Sequence, residues 1–218
     1  MLMDFPEHTG HMTLQGPAGD LEAMLELPAH IHAGTPVAVV CHPHPPDGGT
    51  MHNKVVSTLA KAFTESGYIS LRFNFRGVGH SQGGYDHGIG ELADCLAVLA
   101  WLQRVRPQAP LALAGFSFGA WVALKAAPQG SPVLMVSIAP PVGFRDFSDI
   151  ERPDCPWLAV QGLQDEIVDA GTVLAWLERQ APRPEIVAMA QAGHFFHGQL
   201  VPLRAHVKAF LQQHAPQP

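Results

Sequence analysis

A three-layer α/β sandwich around a mostly parallel sheet is the fold class this sequence predicts. Three observations lead there. Short apolar runs alternate with helix-compatible segments along the chain. Runs such as Val37-Ala38-Val39-Val40-Cys41 are continuously apolar rather than alternating, so both faces of their strands need cover. At the start, two β-compatible segments flank Pro17-Ala18-Gly19-Asp20, a turn cluster that makes an antiparallel hairpin. About eight strands are expected in total.

The elements follow in order. His11–Gly16 and Leu21–Leu27 form the hairpin, and Val37–Cys41 a central strand. The stretch His42-Pro43-His44-Pro45-Pro46-Asp47-Gly48-Gly49 fits neither a helix nor a strand interior. Asn53–Ser66 reads as a helix with Val56, Leu59, Ala60 and Phe63 on one face and Gly67 as its stop. Tyr68–Phe75 is a strand, Arg76–Gly90 a glycine-rich loop, and Glu91–Val105 a helix ended by Pro107. Leu111–Gly115 is a strand followed at once by a helix over Ser117–Ala127. Val133–Ile138, Trp157–Gln161 and Glu185–Met189 complete the strands, with helices at Ala170–Gln180 and His197–Gln212. No repeat or linker interrupts this order, and 218 residues suit one core, so residues 1–218 are expected to form a single domain.

Composition excludes several classes of function. The net charge is −6 and there is no basic run, which argues against nucleic acid or an anionic membrane surface as partner. No apolar run approaches a membrane span. The first residues have neither a basic n-region nor an apolar h-region, so no signal peptide is expected. Cys41, Cys95 and Cys155 are scattered, without CxxC spacing, which fits a reducing, cytoplasmic location.

The chemistry concentrates at expected strand ends. Gly115-Phe116-Ser117-Phe118-Gly119 is a G-x-S-x-G pattern between a strand and a helix, a nucleophile elbow. A serine at such a turn takes a strained backbone, and glycines two residues before and after remove Cβ atoms that would collide. Ser117 therefore reads as nucleophile. A serine hydroxyl needs a base, and the base needs an orienting acid. Asp165 follows the strand Trp157–Gln161 and is favoured as that acid over Glu166 and Asp169. His194 follows the last strand and is favoured as the base, with His197 placed at the start of the final helix. The oxyanion would be held by the backbone amides of Phe118 and His44, because Pro43, Pro45 and Pro46 have no N–H to give. His42 reads as a brace for that loop.

Other readings find less support. Gly88-Ile89-Gly90-Glu91-Leu92-Ala93 fits G-x-G-x-x-A, but a long loop separates it from its strand and no acid follows to hold a ribose. Gly77-Val78-Gly79-His80-Ser81-Gln82-Gly83 misses that pattern at Gln82, and both stretches read as tight loop packing. His42, His44 and His52 with Asp47 form a local cluster, yet no HExxH or Cys/His pairing accompanies them, so no metal is expected.

Taken together, the motifs CHPHPPDGGTMHNKVV, FNFRGVGHSQGGYDHGIGE, GFSFGA, GLQDEIV and GHFFHG resemble those of the α/β-hydrolase superfamily. More narrowly, the chain resembles the small, lid-less bacterial serine hydrolases related to carboxylesterases and dienelactone hydrolase. Where many relatives carry a His-Gly-X oxyanion turn, this chain has His42-Pro43-His44. The resemblance implies an acyl-enzyme mechanism without cofactor, acting on a small-molecule acyl substrate. In lipases of the superfamily a helical cap often follows the sixth strand. Here the stretch between Ile138 and Trp157 is too short for one, which implies a shallow, open site for short acyl esters. Phe116, Phe118, Phe144, Phe195 and Tyr85 are expected as its walls. Peptidase, thioesterase and acyltransferase chemistry use the same triad, and a non-catalytic binding role on this scaffold is the alternative from another class.

Overall fold

The computed structural model describes residues 5–215. Eight strands form one sheet in the order β1-β2-β4-β3-β5-β6-β7-β8. The hairpin β1 (Gly10–Gly16) and β2 (Gly19–Glu26) is antiparallel, and β2 runs antiparallel to β4 (Ile69–Phe73). The remaining strands are parallel: β3 (Val37–Cys41), β5 (Leu111–Phe116), β6 (Leu134–Ile138), β7 (Trp157–Gly162) and β8 (Glu185–Met189).

Strand alternation divides the core into two layers. Val39, Leu71, Leu113, Met135 and Ala159 face α2 (Ile89–Val105), α3 (Phe118–Gly130) and α4 (Ala170–Glu178). Val40, Ala112, Ala114, Val136 and Val160 face α1 (Lys54–Glu65) and α5 (Leu200–Gln213). Strands β3, β4, β6 and β7 are buried along their whole length, and β5 is buried from Ala112 onward, as strands covered by helices on both faces must be. The described residues contain no helix long and apolar enough to cross a membrane.

Several boundaries depart from the sequence reading, each for a local reason. Helix α2 begins at Ile89, inside the expected glycine-rich loop. The Glu91 carboxylate accepts the amides of Asp86 (2.8 Å) and Gly88 (2.6 Å) and so caps the first turn. Gly90 lies where a Cβ would run into the Arg76 guanidinium, which pairs with buried Asp94 at 2.7 Å. The G-x-G-x-x-A stretch thus packs a loop onto a helix. The final helix begins at Leu200 rather than at His197, because Phe196 and Gly198 have φ values of 52° and 69° and cannot continue a right-handed helix. His197 is exposed in that turn. Pro45–Asp47 forms a short 3-10 turn in the segment read as irregular. Between β6 and β7 no helix is inserted, so the carboxyl ends of the parallel strands carry no lid.

Candidate active site

The elbow sits at the centre of that strand-end surface. Ser117 has φ 53° and ψ −121°, the strained conformation the motif predicts. Its two glycines are required by backbone approach. A Cβ on Gly115 would meet the Gly119 carbonyl, and one on Gly119 would meet the carbonyls of Cys41 and His42. The helix after the serine therefore abuts the end of β3 directly. That approach brings Ser117, Phe118 and His44 to one cleft.

Ser117, His194 and Asp165 are brought together in one hydrogen-bonded chain. Ser117 Oγ lies 3.1 Å from His194 Nε2, and His194 Nδ1 lies 2.9 Å from Asp165 Oδ2. An ionised carboxylate can only accept, so the Nδ1 proton belongs to the histidine and Nε2 is free to accept from the serine. Burial alone would raise the Asp165 carboxyl. The bond from His194 and the amides of Val168 (2.8 Å) and Ile167 (3.0 Å) outweigh it and hold the group below its ordinary value. Gln161 Nε2 donates to the same oxygen as the histidine, at 2.9 Å. A glutamine closing an otherwise apolar strand was the sequence signal for this support.

The rival acids have other tasks. Asp169 caps α4 by accepting from the Thr172 amide at 2.7 Å. Glu166 accepts the backbone amide of His194 at 3.1 Å and so fixes the loop carrying the imidazole. The loop after β3 is braced by His42, which is fully buried. Its Nδ1 bonds the Pro43 carbonyl at 2.7 Å, and its Nε2 accepts the Phe75 amide at 3.0 Å. Desolvation pushes this imidazole down to about 3, so it stays neutral. The amides of Phe118 and His44 have no intramolecular acceptor among the described residues.

A cleft of about 210 Å³ opens beside the serine, lined by Ser117, His44, Asp47, Phe118, Pro141, Phe144, Arg145, Ile167 and Val168. Of the expected walls, Phe118 and the exposed Phe144 line it. Phe116 does not. It is fully buried among Ala112, Ala114 and Ile138 beneath the His194 ring, because strand alternation turns residue 116 to the sheet face under α1 and α5. Phe195 lies edge-on to His194, with ring centroids 5.2 Å apart, outside the cleft lining. Tyr85 stands behind it and acts through its hydroxyl, which meets His44 Nε2 at 2.8 Å and Arg145 Nη2 at 2.8 Å. Sequence reasoning missed Arg145, whose partners lie far away along the chain.

Comparison with known proteins agrees with this architecture. The model of the X-Pro dipeptidyl-peptidase (S15 family) matches residues 19–150. The uncharacterized protein RP471 of Rickettsia prowazekii is 38% identical over 191 residues, which is 83% of this chain and 79% of that protein. XC6422 from Xanthomonas campestris, an α/β serine hydrolase without a lid, is 44% identical with a TM-score of 0.93, and 99% of each chain is covered. An α/β serine hydrolase homologue from Coxiella burnetii is also 44% identical, with a TM-score of 0.90 over 95% of this chain and 100% of that one. With a lid-free strand-end surface, an elbow at its centre and these likenesses, the chain belongs to the S15 peptidase family as a lid-less serine hydrolase of the α/β-hydrolase superfamily.

Proposed function

We propose that this protein is a carboxylesterase-type serine hydrolase of short-chain or otherwise small acyl esters. The observation that carries the reading is the chain Ser117–His194–Asp165 at 3.1 and 2.9 Å, with its acid buried and multiply bonded. Ser117 Oγ attacks the acyl carbon as His194 Nε2 takes its proton. Asp165 holds the ring and stabilises the imidazolium. The amides of Phe118 and His44 receive the oxyanion. His194 then returns the proton to the departing alcohol. A water, deprotonated by the same nitrogen, releases the acid and restores Ser117. Every proton in this cycle moves between His194, the serine, the leaving group and water.

The small, unlidded cleft supports the short-chain preference, since a long acyl chain would lie across open surface without burial. A p-nitrophenyl ester series from C2 to C12, with wild type and Ser117→Ala side by side, tests both points. Turnover falling with chain length and lost by at least about 10³-fold in Ser117→Ala is the expected result. A preference for long chains would remove the short-chain assignment. Undiminished turnover in Ser117→Ala would remove the mechanism. A peptidase reading is favoured by one observation, the S15 family match, which spans Ser117 but stops before Asp165 and His194. Hydrolysis of an X-Pro p-nitroanilide faster than of any ester would decide for it.

A further inference from the structure

Arg145 is the cation lining the Ser117 cleft, and the proposed acyl chemistry gives its charge no task. Its guanidinium stacks 4.9 Å from the Phe118 ring centroid and 5.7 Å from that of Trp121. It donates to the Tyr85 hydroxyl at 2.8 Å and more weakly to the His87 carbonyl at 3.3 Å. Arg72, Arg76, Arg183 and Arg204 pair with carboxylates, whereas Arg145, like Arg104, Arg106, Arg152 and Arg179, pairs with none among the described residues; of these five, Arg145 alone lines the Ser117 cleft. The acid that shares the cleft, Asp47, is turned to His44, which it meets at 2.8 Å. A guanidinium carries five N–H donors in a plane, so Arg145 keeps donors to spare.

Its position is also held. The Trp121 indole donates to the Asp146 carbonyl at 2.8 Å, and Asp146 Oδ1 accepts from Ser148 at 2.6 and 2.8 Å. Lys125 pins Asp149 at 2.6 Å. The amides of Phe144 and Arg145 both turn back to the Pro141 carbonyl at 3.1 Å. A stacked, tethered arginine on a fixed loop loses little freedom when it binds. The polar chain around it runs in one direction: Arg145 donates to Tyr85, Tyr85 donates to His44, and His44 donates to Asp47.

We propose that Arg145 is a specificity-determining anion site, and that the preferred substrates are esters whose acyl portion carries a carboxylate. This rests on the esterase reading above and names the substrate class for it. The acyl side is the informative one. The alcohol departs after the first step, whereas the acyl group stays on Ser117 through both, so a contact to it acts in acylation and deacylation alike. A carboxylate matches the guanidinium fork, and Phe118 beneath excludes water from one face of the pair.

The test compares methyl alkanoates with monomethyl dicarboxylates from malonate to adipate, followed by proton release in wild type, Arg145→Gln and Arg145→Lys. At its best length the anionic ester should exceed its neutral counterpart in kcat/KM by about 10- to 100-fold. Arg145→Gln should abolish most of that ratio, and Arg145→Lys should restore part of it. A wild type without the preference, a preference that survives Arg145→Gln, or equal losses on both esters would overturn the proposal. Equal losses would mark Arg145 as support for the loop alone. Binding to Ser117→Ala, read by calorimetry, separates this from failure of the esterase reading. Monomethyl glutarate bound more tightly than methyl valerate, with the difference lost in Ser117→Ala/Arg145→Gln, upholds the anion site even if no ester is turned over. Equal binding of the two overturns it.

Discussion

The two sides of the Ser117 cleft are built differently. On the histidine side the acid and the imidazole are buried and their supports are local. Asp165 has no exposed side-chain surface and His194 only 3%. Their supports, Gln161, Glu166, Ile167 and Val168, lie within a few residues of Asp165 in sequence. On the opposite side, Asp47, His44, Tyr85 and Arg145 form a half-exposed chain assembled from three separated loops. The contrast follows from what each side would do. Proton transfer needs fixed geometry and a low dielectric, and on the proposed reading it would fall where the strand ends bury these groups. Substrate choice needs access to water and ligand, and on the proposed reading it would fall to these loops held by rings and hydrogen bonds.

That contrast can be broken from either side. Asp165→Asn should have the largest effect, because it leaves the imidazole without its acceptor and allows the wrong tautomer. A fall in kcat of about 10³- to 10⁴-fold is expected, measured on a short p-nitrophenyl ester. A fall below tenfold would show that the buried side does not govern the chemistry. Gly119→Ala strikes the junction of the two sides, where a Cβ would meet the carbonyls of Cys41 and His42. A stability loss of about 1–3 kcal/mol by urea titration is expected, with activity lost as well.

A third prediction concerns pH. His42 is held neutral in the folded protein down to about 3, whereas an unfolded histidine gains its proton near 6.5. Between those values the unfolded state binds the extra proton, so folding stability falls as pH drops. Each pH unit below about 6 should cost about 1.4 kcal/mol from this group. His42→Gln should start less stable at pH 7 and decline less steeply than wild type between pH 6 and 4. Parallel curves would refute the assignment. Asp165 acts at lower pH. Its depressed carboxyl contributes stability above about pH 4 that is lost as pH falls further. The smallest effect is expected from Tyr85→Phe, which cuts the polar chain between His44 and Arg145 but keeps the ring. Turnover of a neutral short ester should change by less than about tenfold, the scale of one neutral hydrogen bond. A loss near that of Asp165→Asn would mean the loop side holds the oxyanion loop in place.

The same contrast explains what could be read from the sequence. Gly115, Ser117 and Gly119 were legible because one backbone turn imposes their spacing, and the positive φ at Ser117 is the strain that spacing implies. Asp165 and His194 were legible because each follows an apolar strand, and strand ends in a parallel sheet share one surface. Phe116 could have been placed correctly. It continues the alternation of Ala112 and Ala114, which points to the core and away from the cleft. Arg145 could not, since its meaning depends on Phe118, Trp121 and Tyr85, and no local period links them. The early start of α2 was hidden for a similar reason: glycines at 88 and 90 read as loop until Glu91 is seen capping the turn.

Whether Ser117 is the nucleophile is tested most directly by a fluorophosphonate probe, with the modified peptide identified by mass spectrometry. Stoichiometric label on Ser117, absent in Ser117→Ala and strongly slowed in Asp165→Asn, is the predicted result. No label, or label on another serine at the same rate in Ser117→Ala, would contradict the assignment of the Ser117–His194–Asp165 chain as a working triad.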